Sequence, residues 1–374
     1  MFRVFVILLA CFALYFLPAC HSEKGPSMAA FYYWKTHFET DSAEWAQLDR
    51  FAAGQPLYLR LFDVDYSAGY GGAIPLGELS EASGFDGRPV VPVVFITNRV
   101  FSQLEPAAID SLSGKIAKKI ATHLHDLAIN AWWQEMERID GWGKPNPEAK
   151  RDSFIETWKR QNVPEIQLDC DWTATTRDAY FRFLKLFKKQ PLVRNRTLSC
   201  TIRLHQYRDR ASAGIPPADR GTLMCYNLAN PRDTATRNAV FDLQLLENYV
   251  KNNDKYPLPL DLALPVFSWG AWFREGEFRG LMSGWNSETV ADTHYFASLE
   301  NGRYRLRRDT VWNGNFLREG DLFRLDEPSE KELLAAPAVL RGLIRSGGRI
   351  LFFDWDIKKT TQYERLIPKI MAGF

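Results

Sequence analysis

The sequence is poor in the features that mark several common activities. It has five cysteines in 374 residues, and no Cys/His spacing among them suggests a zinc site. It also lacks an excess of either charge: 47 basic against 45 acidic side chains leave a formal net charge of +2, which argues against a dedicated nucleic-acid binder. The Gly-rich stretch Ser67-Ala68-Gly69-Tyr70-Gly71-Gly72 has neither the lysine nor the following helix of a phosphate loop. It is expected to be a mobile loop, and no cofactor is expected. The apolar run at the start, residues 1–20, carries one basic residue and stops at Cys20, too short and too abruptly ended for a membrane span of about 20 residues.

That N-terminal run ends Leu17-Pro18-Ala19-Cys20 and is followed at once by the polar stretch His21-Ser22-Glu23-Lys24-Gly25-Pro26-Ser27. The ending resembles the bacterial lipobox. The resemblance implies a signal peptide over 1–20, a lipid on Cys20 that anchors an exported protein to a membrane of the cell envelope, and a tether over 21–28. Cys11 leaves with the signal, so Cys170, Cys200 and Cys225 remain, each inside an apolar strand-like run. Buried free thiols are expected.

The aromatic content is high, with 12 Trp and 14 Tyr. That exceeds the usual needs of a core, so some of these rings are expected at a cleft, where flat faces suit sugar rings; others fill helix–sheet interfaces. From about residue 29 onward, strand-like runs alternate with helix-like ones: strands at 31–38, 57–66, 90–96, 165–173, 198–207, 221–227, 261–269 and 349–356. Eight such units predict an α/β fold, the (β/α)8 TIM barrel. Between the seventh and eighth strands, Asn301-Gly302 and Glu319-Gly320-Asp321 mark tight turns. They predict a small β-rich insertion over about 280–328.

The most informative run is Glu165-Ile166-Gln167-Leu168-Asp169-Cys170-Asp171-Trp172-Thr173. Side chains two apart on a strand share a face, so Asp169, Asp171 and Thr173 are placed opposite Leu168, Cys170 and Trp172. The second strand repeats the device with Asp63 and Asp65. The fifth places Arg203 and His205 on the inner face, beside those acids. Two readings stay open for them: a buried ion pair, or, for His205, a carboxylate-held proton carrier. The run 165–173 resembles the fourth-strand signature of family 18 glycoside hydrolases, Asp-Gly-X-Asp-X-Asp-Trp-Glu, with Asp169, Asp171 and Trp172 matching. Met224 and Tyr226 likewise resemble the family's sixth-strand Met-X-Tyr-Asp, with Asn227 in place of the acid; in the family that Tyr and Asp help hold the substrate's acetamido group. Thr173 stands where the family has the Glu that protonates the leaving oxygen, and a hydroxyl cannot serve as a general acid near neutral pH. The third strand, Val93-Val94-Phe95-Ile96-Thr97-Asn98, lacks the Ser-X-Gly-Gly of many chitinases.

The resemblance implies a chitinase-like barrel in a bacterial lipoprotein family. The expected function is glycan binding, with Asp169 and Asp171 as the catalytic candidates and Tyr226, Asn227, His205, Arg203, Asp63, Asp65, Trp269 and Trp272 around the substrate. Hydrolysis requires a further acid near Asp171. Glu275 and Glu277, after the seventh strand, are the candidates, at about 5–5.5 Å for a retaining pair or about 6.5–9.5 Å for an inverting one. The alternative is a non-catalytic envelope protein that captures a ligand or partner, supported by the loss of the acid at Thr173. A hard cation on Asp169, Asp171, Asp354 and Asp356 is a weaker possibility, opposed by Arg203.

Overall fold

The eight apolar runs form strands that together close on themselves. The computed structural model describes residues 29–83, 88–140, 148–251, 255–345 and 347–374; the N-terminal segment with Cys20 lies outside them. The barrel strands are Ala30–Tyr33, Leu57–Ser67, Val90–Ile96, Glu165–Asp169, Thr197–Arg203, Arg220–Met224, Leu260–Pro265 and Ile350–Phe353. Neighbours follow chain order and are parallel. The first strand pairs with both the second, Phe31 opposite Leu57, and the eighth, Phe31 opposite Phe352, which closes the ring. The (β/α)8 barrel is therefore present as expected.

Helices cover the outside because their apolar residues recur at helical spacing. In Pro106–Asp140, the residues Ile109, Leu112, Ile116, Ile120, Leu124 and Leu127 are all buried along one stripe. Asp41 caps Ser42–Ala52 and Ser329 caps Glu330–Leu340, each accepting from a backbone N–H of the first turn. On the strands, Ile166, Leu168, Cys200 and Ile202 join the main hydrophobic core. Cys170, Cys200 and Cys225, the cysteines among the described residues, are free and buried.

The lumen is polar and layered. Along the fourth strand Glu165, Gln167 and Asp169 fall at three levels, all buried. At the first level Arg349 donates to Glu165 Oε2 at 2.6 Å and to the Tyr58 hydroxyl at 2.7 Å; Arg220 donates to Asp261 at 2.6 Å. At the second, the Tyr32 hydroxyl donates to Gln167 Oε1 at 2.6 Å, and Gln167 Nε2 donates to Thr222 at 3.0 Å and Ser199 at 3.3 Å. Asp169 forms the third.

The boundaries differ from expectation in informative places. The stretch Ser67–Gly72 is a hairpin turn, not a mobile loop, because Gly72–Leu76 returns antiparallel along the second strand. The fifth strand ends at Arg203, where Leu204–Arg208 coils into a helical turn. The seventh strand ends at Pro265, and Trp269–Arg274 belongs to the insertion. This sheet of five antiparallel strands reaches from Trp269 to Asp326, so it begins earlier than the expected 280. Its own core gathers Trp272, Met282, Trp285, Val290, Phe296, Leu306, Leu317 and Phe323. Asn301-Gly302 turns one of its hairpins as expected, with φ of 59° and 68°.

Removing Arg349 leaves the carboxylate of Glu165 in the lumen without its cation. Arg349→Leu is expected to lower the unfolding free energy by roughly 3–5 kcal/mol in urea titrations. An unchanged midpoint would show that the lowest layer does not depend on this pair.

Candidate functional site

The strand ends of the third level bring together much of what the sequence suggests. Asp169 is the last residue of the fourth strand and is buried; the Thr201 hydroxyl donates to its Oδ1 at 2.6 Å. Asp171 lies just past the strand. Arg203 grips it bidentately, Nε to Oδ1 at 2.6 Å and Nη2 to Oδ2 at 2.8 Å. Thr201 and Arg203 reach the two acids because residues 199, 201 and 203 share the inner face of the fifth strand. Burial first, and the charge of Asp171 second, push the Asp169 carboxyl up to about 7.

Asp63 joins this group through its charge on Asp169. Its partner is Arg60, whose Nε donates to Asp63 Oδ1 at 2.7 Å. Residues three apart on a regular strand face opposite ways. The register shift between Arg60 and Phe62 adds one residue to the second strand and turns both to one side. Asp65 is drawn off separately, accepting from the Thr97 hydroxyl at 2.5 Å and from Arg99 Nη2 at 2.6 Å. Hydrogen bonds to Thr97 and Arg99 hold its carboxyl below the usual range against the opposing effect of desolvation, the largest single influence on it.

Tyr226 is buried, and its hydroxyl has no hydrogen-bond partner among the described residues. It lies within the electrostatic reach of Asp169, Arg203 and Asp171. Its ring stacks on Phe353 with centroids 5.1 Å apart and meets Phe267 edge-on at 5.9 Å. The series continues from Phe353 to Trp34 at 5.3 Å and from Phe267 to Trp269 at 5.4 Å. Trp34, Phe353 and Trp269 are each only partly buried. A continuous aromatic shelf therefore runs beside the acids. Sequence reasoning found Tyr226 and Trp269 but missed Trp34, Phe267 and Phe353, which sit at the ends of the first, seventh and eighth strands. Their position at or just after a strand end is the available signal.

Other candidates are placed elsewhere. His205 falls in the helical turn after the fifth strand and is exposed, so it does not face the lumen; desolvation, then the Arg203 charge, hold its pKa below the ordinary histidine value. Asn227 is exposed, in the left-handed region with φ 54°, and its backbone N–H donates to Val240 at 2.8 Å. Trp272 is a core residue of the insertion, donating to Asp321 at 2.9 Å. Glu275 forms the turn of the hairpin between Trp269–Arg274 and Glu277–Ser283, and Glu277 is exposed with Arg279 at 3.8 Å. The charged groups acting on Asp169 are Asp171, Arg203 and Asp63, all from the barrel. Thr173 is exposed, its hydroxyl 2.9 Å from that of Thr175. Among the described residues no three His, Cys, Asp or Glu side chains converge as a metal site; Asp356 pairs with Lys35.

Neither a family model nor a curated protein sequence matches this chain. Solved structures do. The C-terminal domain of a putative chitinase from Desulfitobacterium hafniense DCB-2 matches with a TM-score of 0.51 at 12% identity, over 93% of this chain and 99% of that one. A chitinase from Chromobacterium violaceum ATCC 12472 gives 0.49 at 11%, over 92% and 99%. The spore cortex-lytic enzyme SleL of Bacillus cereus gives 0.44 at 13%, over 93% and 75%. The chain has a chitinase-like barrel fold in a widely diverged sequence, and its chemistry has to be read from its own residues.

The raised pKa of Asp169 fixes the sign of a pH effect. Below about pH 4 the acid is protonated in the folded and unfolded chains alike, and nothing is lost. Between there and about 7, only the folded chain keeps the proton, so stability falls as pH rises; above that the loss is constant. Asp169→Asn still accepts from Thr201 and removes the effect. Its stability relative to wild type is expected to rise between pH 4 and 8, by up to about 1.4 kcal/mol per pH unit, in denaturant melts. A pH-independent difference would refute the assignment.

Proposed function

We propose that the barrel mouth binds a glycan without hydrolysing it, in an exported protein held to the cell envelope by a lipid on Cys20. One observation carries the non-hydrolytic reading: both oxygens of Asp171 are engaged by Arg203, while Thr173 occupies the place where a proton donor is needed. Glycoside hydrolysis calls for two carboxyl groups flanking the bond, one able to give a proton and one free to act as base or nucleophile. Asp63 and Asp171 are each matched to a guanidinium, and Asp169 is buried.

Glycan binding is supported by the aromatic shelf and its polar edge. Flat, partly exposed rings at Trp34, Phe353 and Trp269 offer apolar faces of the size of a sugar ring. The partly exposed Arg203 guanidinium lies within electrostatic reach of the Tyr226 end of that shelf and suits hydroxyl or amide groups. Hydrolysis is the second reading, favoured by the pKa of Asp169 near neutrality, the range a general acid needs. Export and anchoring are supported by the apolar run of residues 1–20 ending at Cys20 and the polar stretch after it.

On a glycan array the chain lacking residues 1–20 is expected to retain a defined set of oligosaccharides and to release no reducing ends from them. Trp269→Ala is expected to weaken that binding about ten-fold, the scale of one lost ring contact, while Asp171→Asn leaves it nearly intact. Turnover abolished by Asp171→Asn or Asp169→Asn would overturn the non-hydrolytic reading. Absence of any glycan bound would overturn the proposal itself. In cells, labelled palmitate is expected on the wild-type chain and not on Cys20→Ala; equal labelling, or none on either, would remove the anchor.

A further inference from the structure

The insertion carries a basic concavity that the barrel mouth does not use. It has a volume of about 1050 Å3 and is lined by Arg305, Arg307, Arg308 and His294, with Glu319 as its one carboxylate; no barrel residue contributes. Most arginines of the same sheet are engaged: Arg274 with Asp321, Arg324 with Asp326, and Arg303 with the Thr234 carbonyl. Arg305, Arg307 and Arg308 are exposed and form no ion pair among the described residues. Period two explains part of this arrangement. In Arg303–Leu306, Tyr304 and Leu306 turn into the insertion core, so Arg305 faces solvent.

The chain continues directly from these arginines into the hairpin of Thr310–Trp312 and Asn315–Leu317, turned at Asn313-Gly314 with φ of 48° and 76°. Val311 and Phe316 are cross-strand partners, and they are 67% and 51% exposed. They cannot be buried by closing the hairpin onto the sheet, because its other face is already fixed there: Trp312 packs on Trp285 at 5.2 Å and Leu317 is fully buried. In sequence, Arg307, Arg308 and Asp309 precede the first strand of this hairpin, and Arg318 and Glu319 follow the second.

We propose that this basic concavity and the Val311/Phe316 hairpin form a docking surface for an anionic lipid bilayer. Phosphate headgroups suit the guanidinium groups, and the apolar pair enters the acyl boundary beneath them. Charge complementarity and the aliphatic, hydrogen-bond-free character of Val311 favour lipid over a polyanionic polysaccharide. The surface acts independently of glycan binding at the mouth.

The test uses the full chain with vesicles of phosphatidylcholine alone and of equal parts phosphatidylcholine and phosphatidylglycerol, in low salt. Any N-terminal contribution is common to all variants. Wild type is expected to prefer the anionic vesicles. Arg305→Gln/Arg307→Gln/Arg308→Gln is expected to cut that preference on the order of a hundred-fold, and Val311→Ser/Phe316→Ser to weaken binding to anionic vesicles with the fold unchanged by circular dichroism. No preference in the wild type, or one unaffected by either variant, overturns the proposal. Retention on heparin with no binding to either vesicle would assign the surface to soluble polyanions and overturn it equally.

Discussion

A barrel lumen this polar must balance its charges level by level, and the Arg203–Asp171 pair is the step on which the mouth depends. Asp63 and Asp171 both act on Asp169 at the strand ends, and two guanidinium groups, Arg60 and Arg203, pair with Asp63 and Asp171. Arg60 and Arg203 are each taken by one acid, and the third is pushed toward its neutral form. That third acid is Asp169, the most buried of the three, because burial disfavours the charged form most strongly there. The lower levels obey the same rule with different parts: Arg349 and Arg220 meet Glu165 and Asp261, and uncharged Gln167, Tyr32 and Thr222 separate the two charged levels. One strand, Glu165–Asp169, supplies an acid, an amide and an acid in turn, and so sets what every neighbouring strand must offer.

The same balance separates fold from chemistry. A strand-end acid is useful for catalysis when it is free to change its proton or its partner; bidentate contact with an arginine removes that freedom and leaves a rigid, neutral wall. Thr173, beyond that wall, brings a hydroxyl and no carboxyl to the strand end. What the mouth keeps is shape: rings from the first, sixth and eighth strands, together with Phe267 and Trp269 after the seventh, packed edge and face in one series. Such a shelf is rigid because each ring is held by the next. Rigidity of this kind lowers the entropy lost when a flat ligand settles on it.

How much of this was legible depended on whether the cause was local. Barrel and strand count follow from alternation and turn residues, and both were readable; Val90–Ile96 and the Asn301-Gly302 turn are placed as their sequences require. The Arg203–Asp171 contact was legible too, since each lies on the inner side of adjacent strands. Three features were not. His205 was assigned to the lumen by continuing an alternation that a helical turn interrupts after Arg203. The bulge that brings Arg60 onto the side of Asp63 leaves no mark in residue types. Glu275 and Glu277 are expected at the mouth because the segment after Trp269 reads as the continuation of the seventh strand's end, whereas it starts a second sheet with its own core. In each case tertiary pairing, absent from any local pattern, decided the outcome.

Trp269 is where the two bodies of the chain meet. Its ring packs on Phe267 in the shelf, its backbone opens the first strand of the insertion, and its indole N–H donates at 2.9 Å to Asp326, its cross-strand partner on the neighbouring strand of that sheet. Asp326 is itself held by Arg324, a fully buried pair. A buried pair of this kind resists displacement, because separating the partners would strand a charge away from water. The insertion's sheet is therefore registered against the shelf at one ring, and any ligand that presses on Trp269 bears on the base of the insertion as well. Trp269 thus belongs to the shelf and to the insertion at once, whereas Val311 and Phe316 lie exposed on the outer hairpin.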